Sequence, residues 1–421
     1  MRPALLLSAL MAGLAVAGPV AASPEPAAEA MTPLKVVMLM RHGVRPPTRA
    51  VVIPEGYARQ PWTPWDTAPG LLTAHGYQGE VKLGAYDRVL FADAGLLEAE
   101  GCPAPGVVRM WADTDQRTRE TGRAWLEGLA PGCDIPVGHS NGQRDDPLFA
   151  NIDLGLTSQD PAAAHAAIEA RAGGRLDGTM PAVADAFDRL DAILDCCSVV
   201  VCEAASLAPD CDLGAIPHRW EATGPNKRVD FEGPLAIGGT AGQSIMLQFM
   251  EGLPMAEVGW GRATEADILP LSRIHAAEFD LLARTPYVAN RAATPIMREV
   301  LDAFADDAGP RLTGLVGHDT NIANVGGMLD LHWQATGYAA DDPAVGGMLG
   351  FQLLAAPDGQ RFVRVFYQAQ SPRQLRDLQT LSRETPPSFA WLDQPLCGLP
   401  RDQTLCRAED FTAAVRARLT P

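Results

Sequence analysis

Positive charge is in short supply in this 421-residue chain: 34 lysines and arginines stand against 51 aspartates and glutamates, a formal net charge of −17 at pH 7. That excludes a general nucleic-acid binder, which needs a basic face to displace counterions from the phosphate backbone. Long apolar runs are also missing, apart from one at the N-terminus that is too short to span a bilayer comfortably, so no segment of the mature chain is expected in a membrane. No low-complexity tract is present. The cysteines form no C-x-x-C pair and the histidines no H-x-x-x-H, which removes the usual zinc patterns. What remains, 47% hydrophobic and 20% charged, is the composition of a globular protein with enough chain for two or three domains and a large core.

The N-terminus predicts an export signal over residues 1–22. Arg2 supplies the positive end, Ala4–Val16 the apolar stretch, and Val20-Ala21-Ala22 or Ala15-Val16-Ala17 the small residues of a cleavage site. Ser23–Ala30 reads as a disordered lead-in. Export to the periplasm makes the eight cysteines legible as disulfides. Proximity pairs Cys102 with Cys133 and Cys397 with Cys406. Among Cys196, Cys197, Cys202 and Cys211, three pairings stay open.

Three segments share one grammar of apolar strand, polar tip and helix. The first, Leu34–Met40, runs into Arg41-His42-Gly43-Val44-Arg45. The second, Val107–Ala112, leads to Asp113-Thr114-Asp115-Gln116-Arg117 and a helix through Trp125 and Leu129, capped by Asp113 or Thr114. The third, Leu312–Val316, leads to Gly317-His318-Asp319-Thr320 and a helix over Asn321–Leu329. Strands alternating with helices predict an α/β fold: a largely parallel or mixed central sheet covered on both faces, with Arg361–Tyr367 completing it. Ligands collect at the carboxyl ends of such strands, so the three tips are expected around one crevice. Helical patterns at Pro161–Gly174, Met180–Leu194, Ala241–Leu253 and Ile268–Thr285, with few strands between, predict a smaller, mostly helical domain inserted at 159–282. Residues 31–158 and 283–421 would form the α/β domain.

The tips pool a particular chemistry. Arg41, Arg45 and Arg117 are permanent cations with planar donor forks suited to phosphate oxygens. A helix amino end would add partial positive charge. Neighbouring cations depress an imidazole, so His42 stays neutral and nucleophilic at mildly acid pH. Gly43 leaves room for an anion to approach the backbone. Asp319 fits a proton donor to the leaving oxygen, with His318 donating a hydrogen bond to the phosphoryl group. This inventory describes phosphoryl transfer through a phosphohistidine, and it implies neither metal nor cofactor, since arginines do the neutralising.

RHGVRPPT at Arg41–Thr48 and GHDTN at Gly317–Asn321 closely resemble the two signatures of the histidine acid phosphatases, a branch of the phosphoglycerate-mutase-like superfamily. The resemblance extends to DTDQRTRETG at Asp113–Gly122, DDPLF at Asp145–Phe149, RAGG at Arg171–Gly174, GWGR at Gly259–Arg262 and RTP at Arg284–Pro286, and is greatest toward periplasmic bacterial phytases and glucose-1-phosphatases. It implies an α/β domain and a smaller helical domain with a cleft between them. It also implies phosphate-binding roles for Arg41, Arg45, Arg117 and His318, His42 as nucleophile and Asp319 as proton donor. Thr48 and Arg49 would touch a second phosphate of a polyphosphorylated substrate, and the loop sequence is more like the phytase subgroup. Gln243, Met348 and Ala292 depart from the acidic, Glu and Arg residues expected at those places, which bears on substrate preference.

Plainer readings compete at several positions. Arg119 or Arg123 could serve in place of Arg117. Arg49 could be a surface arginine, and His275 a packed histidine rather than one lining the cleft. His75, His139, His165, His218 and His332 read as structural. The expected function is a monomeric, periplasmic acid phosphomonoesterase acting on a small phosphate ester, phytate foremost. The alternatives are a glucose-1-phosphatase or broad sugar-phosphate phosphatase, and, in other classes, a mutase-like phosphotransferase or a non-catalytic phosphate-binding protein.

Overall fold

The structure is a computed structural model that describes residues 31–420 apart from 143, 222, 225, 226, 401 and 402. The expected export signal and lead-in lie outside the described residues. No helix among the described residues is long and apolar enough to cross a membrane.

The first strand, β1 (Thr32–Arg41), is central and covered on both faces. Its side chains alternate between two cores: Val37 and Leu39 join the larger, Val36, Met38 and Met40 the smaller. Each such side chain contributes roughly 1.5–3 kcal/mol on burial, which fixes this strand's register. Next come α1 (Ala74–Asp93), β2 (Val108–Ala112), α2 (Gln116–Leu129) and β3 (Val137–Gly138). Residues 161–305 are helical in the main: α3 (Pro161–Arg171), α4 (Ala184–Leu194), α5 (Val199–Ala204), a ribbon of β4 (Arg219–Trp220) and β5 (Phe231–Glu232), α6 (Pro234–Met250), α7 (Ile268–Leu282) and α8 (Pro286–Ala305). The chain then returns through β6 (Leu312–Gly317), α9 (Asp319–Leu329), β7 (Met348–Ala355), β8 (Arg361–Ala369), α10 (Pro372–Arg376), β9 (Ser388–Leu392), β10 (Cys406–Arg407) and α11 (Ala408–Arg416).

The main sheet is mixed, in the order β10–β8–β7–β1–β6–β2–β3, with β9 also on β8. Strands β1, β6, β2 and β3 are parallel to their neighbours. On the other side of β1 the pairings are antiparallel. Arg41 is in register with Gly317, and the Asp113 N–H donates to Val316 O (2.9 Å). All three predicted tips therefore lie side by side at one edge of the sheet. The larger core runs from this sheet into the helices of 161–305 without interruption.

Four disulfides close the chain: Cys102–Cys133, Cys196–Cys197, Cys202–Cys211 and Cys397–Cys406. The two expected from proximity are present, and the crowded region resolves into adjacent-residue and nine-apart pairs. One expectation needs correction. The cap of α2 is Asp115, not Asp113 or Thr114, and its side chain makes no capping bond because it faces Arg117 instead.

Candidate active site

Strand β1 ends in Arg41 and hands His42 to a turn held from two sides. The Arg41 N–H donates to Gly347 O (2.9 Å) and the His42 N–H to Gly317 O (3.1 Å). His42 is 2% exposed. Its Nδ1–H donates to Gly43 O (2.9 Å), which leaves the lone pair on Nε2, where Arg45 Nε approaches to 3.4 Å. Burial, then Arg45, Arg117, Arg41 and His318, push this imidazole well below its usual range. A positive charge on the ring, beside three arginines, would be both dry and repelled, which favours the neutral form.

Gly43 has a different reason from the one expected. Its N–H is committed to Thr121 Oγ1 (3.0 Å), and a Cβ on it would stand 2.7 Å from Glu80 Oε1. The glycine thus admits the buried Glu80 of α1 against the turn, rather than an anion against the backbone.

The cations converge as expected. Arg41, 1% exposed, places Nη2 2.8 Å from Asp319 Oδ2 and donates through Nη1 to Pro343 O (2.5 Å). Arg117 rests on Asp115 (2.6 Å), while its buried Nε, like that of Arg41, finds no acceptor among the described residues. Arg45, crowded by burial and by Arg117 and Arg41, falls to about 9. Of the rival arginines, Arg123 is spent on a surface pair with Glu120. The arrangement carries more positive charge than the chain itself neutralises, a condition that an anion relieves.

Asp319 opens α9, with His318 as its cap. Burial would push its carboxyl up, but Arg41, His275, His42 and Arg45 outweigh that and hold it well below the usual carboxylate range. The protonated donor expected from the sequence is therefore an ionised carboxylate in the ligand-free protein. His318 is also turned differently from expectation. Its Nε2–H donates to Asp113 Oδ2 (2.7 Å), and its ring lies edge-on to His42 at 5.7 Å between centroids. Asp113 is fixed in turn by the N–H groups of Thr114 (2.7 Å) and Asp146 (3.1 Å). A phosphoryl oxygen would receive a bond from His318 only by drawing that ring from Asp113.

His275 belongs to the site. It is 4% exposed, gives Nδ1–H to Asp342 Oδ1 (2.7 Å) and sets Nε2 4.0 Å from Asp319 Oδ2. Beyond the clamp opens a cavity of about 860 Å³ whose lining includes Arg45, Thr48, Arg49, His275, Glu278 and Asp319. Thr48 and Arg49 are exposed at its rim. Three participants escaped the sequence reading: Asp113, taken for a helix cap; Asp342, in a loop without periodicity; and Glu278, hidden in an ordinary amphipathic helix. Asp113, Asp115 and His318 could bring three ligand atoms together for a cation, within 4.8 Å of one another, but Arg117 already lies against Asp115.

Residues 34–175 match the model of the histidine phosphatase superfamily (branch 2). Phytase AppA of Escherichia coli is 32% identical over 401 residues, covering 92% of each chain. A glucose-1-phosphatase of Salmonella typhimurium is 29% identical over 385 residues, covering 90% of each. Among solved structures, the phytase of Citrobacter braakii superposes with a TM-score of 0.84 at 33% identity, covering 93% of this chain and 99% of that one. The Hafnia alvei phytase in complex with myo-inositol hexakis sulphate gives 0.85 at 31%, covering 94% and 99%. With relatives of that identity along nearly its whole length and a neutral imidazole set among arginines at the sheet edge, the chain belongs to the histidine phosphatase superfamily, branch 2, as a histidine acid phosphatase.

Proposed function

We propose that the protein hydrolyses phosphate monoesters of polyols through a phosphohistidine on His42, with phytate among its substrates. The observation that carries this reading is the contact of His42 Nδ1 with Gly43 O (2.9 Å): a carbonyl only accepts, so Nδ1 carries the proton and the lone pair of Nε2 lies beside Arg45. Arg41, Arg45 and Arg117 hold the phosphoryl oxygens. Nε2 attacks phosphorus, the bond to the ester oxygen breaks, and the proton that the monoanionic ester brought passes through Asp319 to that oxygen. Water then attacks the phosphohistidine, Asp319 takes its proton, and inorganic phosphate leaves. His318, oriented by Asp113, stands beside the attacked phosphorus, while Thr48 and Arg49 meet the substrate at the rim.

Phytate is supported by the phytases among the similar proteins. A second reading, a sugar-phosphate phosphatase, is favoured by the carboxylates Glu221, Asp230, Glu232 and Glu278 along the cavity. The protein acts in the periplasm, since four disulfides suit an oxidising compartment. Residues 159–282 serve as the helical domain that walls the cleft. The test is kcat/KM at acid pH on phytate, glucose 1-phosphate and p-nitrophenyl phosphate. Turnover of all three is expected, and no turnover of any would overturn the reading.

A further inference from the structure

The outer part of the cavity contains few cations. Beyond the arginine clamp, helix α6 contributes Gly239 and Gln243, helix α7 contributes Glu278, and the β4–β5 ribbon contributes Glu221, Asp230 and Glu232. Against these carboxylates stand Arg49 and Arg219, both exposed at the rim. Gln243 is the unusual member. It is 7% exposed, yet neither its Oε1 nor its Nε2 has a hydrogen-bond partner among the described residues. A buried amide left unpaired on both sides costs on the order of 1–3 kcal/mol per group unless water or a ligand completes it.

One turn earlier on the same helix, Gly239 makes room for Glu278. A Cβ at Gly239 would come within 1.8 Å of Glu278 Oε2, so any larger residue would displace the carboxyl group. That group has neither a hydrogen bond nor an ion pair with any described residue. An amide that needs both a donor and an acceptor, lining one cavity with a carboxyl group that has free oxygens, matches hydroxyl groups, which supply both. It does not match a second phosphate, which would need a cation there. Burial, with Asp230 and Asp319 nearby, pushes the Glu278 carboxyl well above its ordinary range. Protonated, it can donate to and accept from a hydroxyl; ionised, it accepts and repels phosphate. Neither form neutralises an anion.

We propose that Gln243 and Glu278 form the leaving-group subsite, reading the hydroxyls of a polyol that carries one phosphate and discriminating against polyphosphorylated substrates. The inference rests on the hydrolysis proposed above and names the substrate class of that site. A singly phosphorylated sugar or cyclitol should then be turned over more efficiently than phytate.

The experiment compares kcat/KM for glucose 1-phosphate, phytate and p-nitrophenyl phosphate in the wild type, Gln243→Ala and Glu278→Lys. Each ratio is taken within one variant, so a reduced folded fraction cancels. In Gln243→Ala, the ratio of glucose 1-phosphate to p-nitrophenyl phosphate should fall about tenfold, because the aryl leaving group has no hydroxyl to be read. In Glu278→Lys, the ratio of phytate to glucose 1-phosphate should rise about tenfold. Either ratio staying within about twofold of wild type overturns the subsite. Failure of the wild type to hydrolyse even p-nitrophenyl phosphate would instead overturn the proposed hydrolysis itself.

Discussion

Arg41 Nη2 lies 2.8 Å from Asp319 Oδ2, and the pair joins the last residue of β1 to the first residue of α9. The contact makes Asp319 a carboxylate before substrate arrives, so the proton for the leaving oxygen has to come with the phosphate ester. A phosphate monoester is a monoanion below its second ionisation, at roughly pH 6. We therefore expect kcat/KM to be sustained at acid pH, where His42 is still neutral because burial and the arginines hold it well below its usual range. It should fall above the substrate's own second pKa. Measured with esters of different second pKa, the alkaline limb should move with the substrate; a limb fixed across esters would show that the proton belongs to the free enzyme.

Removal of His42, the proposed nucleophile, separates binding from chemistry. His42→Ala should lower kcat by on the order of a thousandfold or more while tungstate still binds to the arginines. Rapid quenching of the wild type with ³²P-labelled substrate should trap an acid-labile, base-stable adduct on His42. Turnover that survives in the variant would dismiss the covalent route.

Asp319→Asn tests the donor. Alkyl esters need a proton on the leaving oxygen and p-nitrophenyl phosphate does not, so the variant should lose roughly a hundredfold more kcat on glucose 1-phosphate than on p-nitrophenyl phosphate. Equal losses would make Asp319 an electrostatic partner of Arg41 alone.

The pH dependence of stability follows from two carboxyl groups inside α1. Glu80 is fully buried with both oxygens unpaired, and burial pushes its carboxyl well above the ordinary range. Asp87, which accepts from Trp125 Nε1 and Gln368 Nε2, rises to about 7 through burial. The folded state holds these protons more tightly than the unfolded chain does. Their contribution is complete below the unfolded pKa near 4 and is lost as pH climbs toward 7, by roughly 4 kcal/mol for Asp87 alone. The melting temperature should be higher at pH 4.5 than at pH 7.5, and Glu80→Gln should narrow the gap by raising the neutral-pH value. Scanning calorimetry showing no gap, or a wider one in the variant, would contradict this.

The tips of β1, β2 and β6 were legible because each joins an uninterrupted apolar strand to charged residues, a pattern with few structural readings. The strand β7 was not, since MLGFQLLA is apolar without a period and fits a buried helix turn as well as a strand. Helix α1 was obscured by its glycines, which argue against a helix on propensity. At Gly84 the cause is tertiary: a Cβ would meet Trp125 O at 2.0 Å, so the close crossing of α1 over α2 demands the residue that local preference disfavours. Asp113 and Asp342 were illegible as histidine partners because each pairing spans distant sequence, 205 residues to His318 and 67 to His275. No local signal encodes such distances.

The pairing of β1 with β6 carries a consequence for biosynthesis. Translation produces His42, the proposed nucleophile, before the helices of 161–305, yet Asp319 and the strand that fixes the His42 backbone emerge only after them. A ribosome-bound nascent chain that stops short of β6 holds His42 and the arginines without a hydrolytic centre. On the proposed chemistry, catalytic competence is thereby postponed until β6 and α9 have been made, and products truncated before them are born inert.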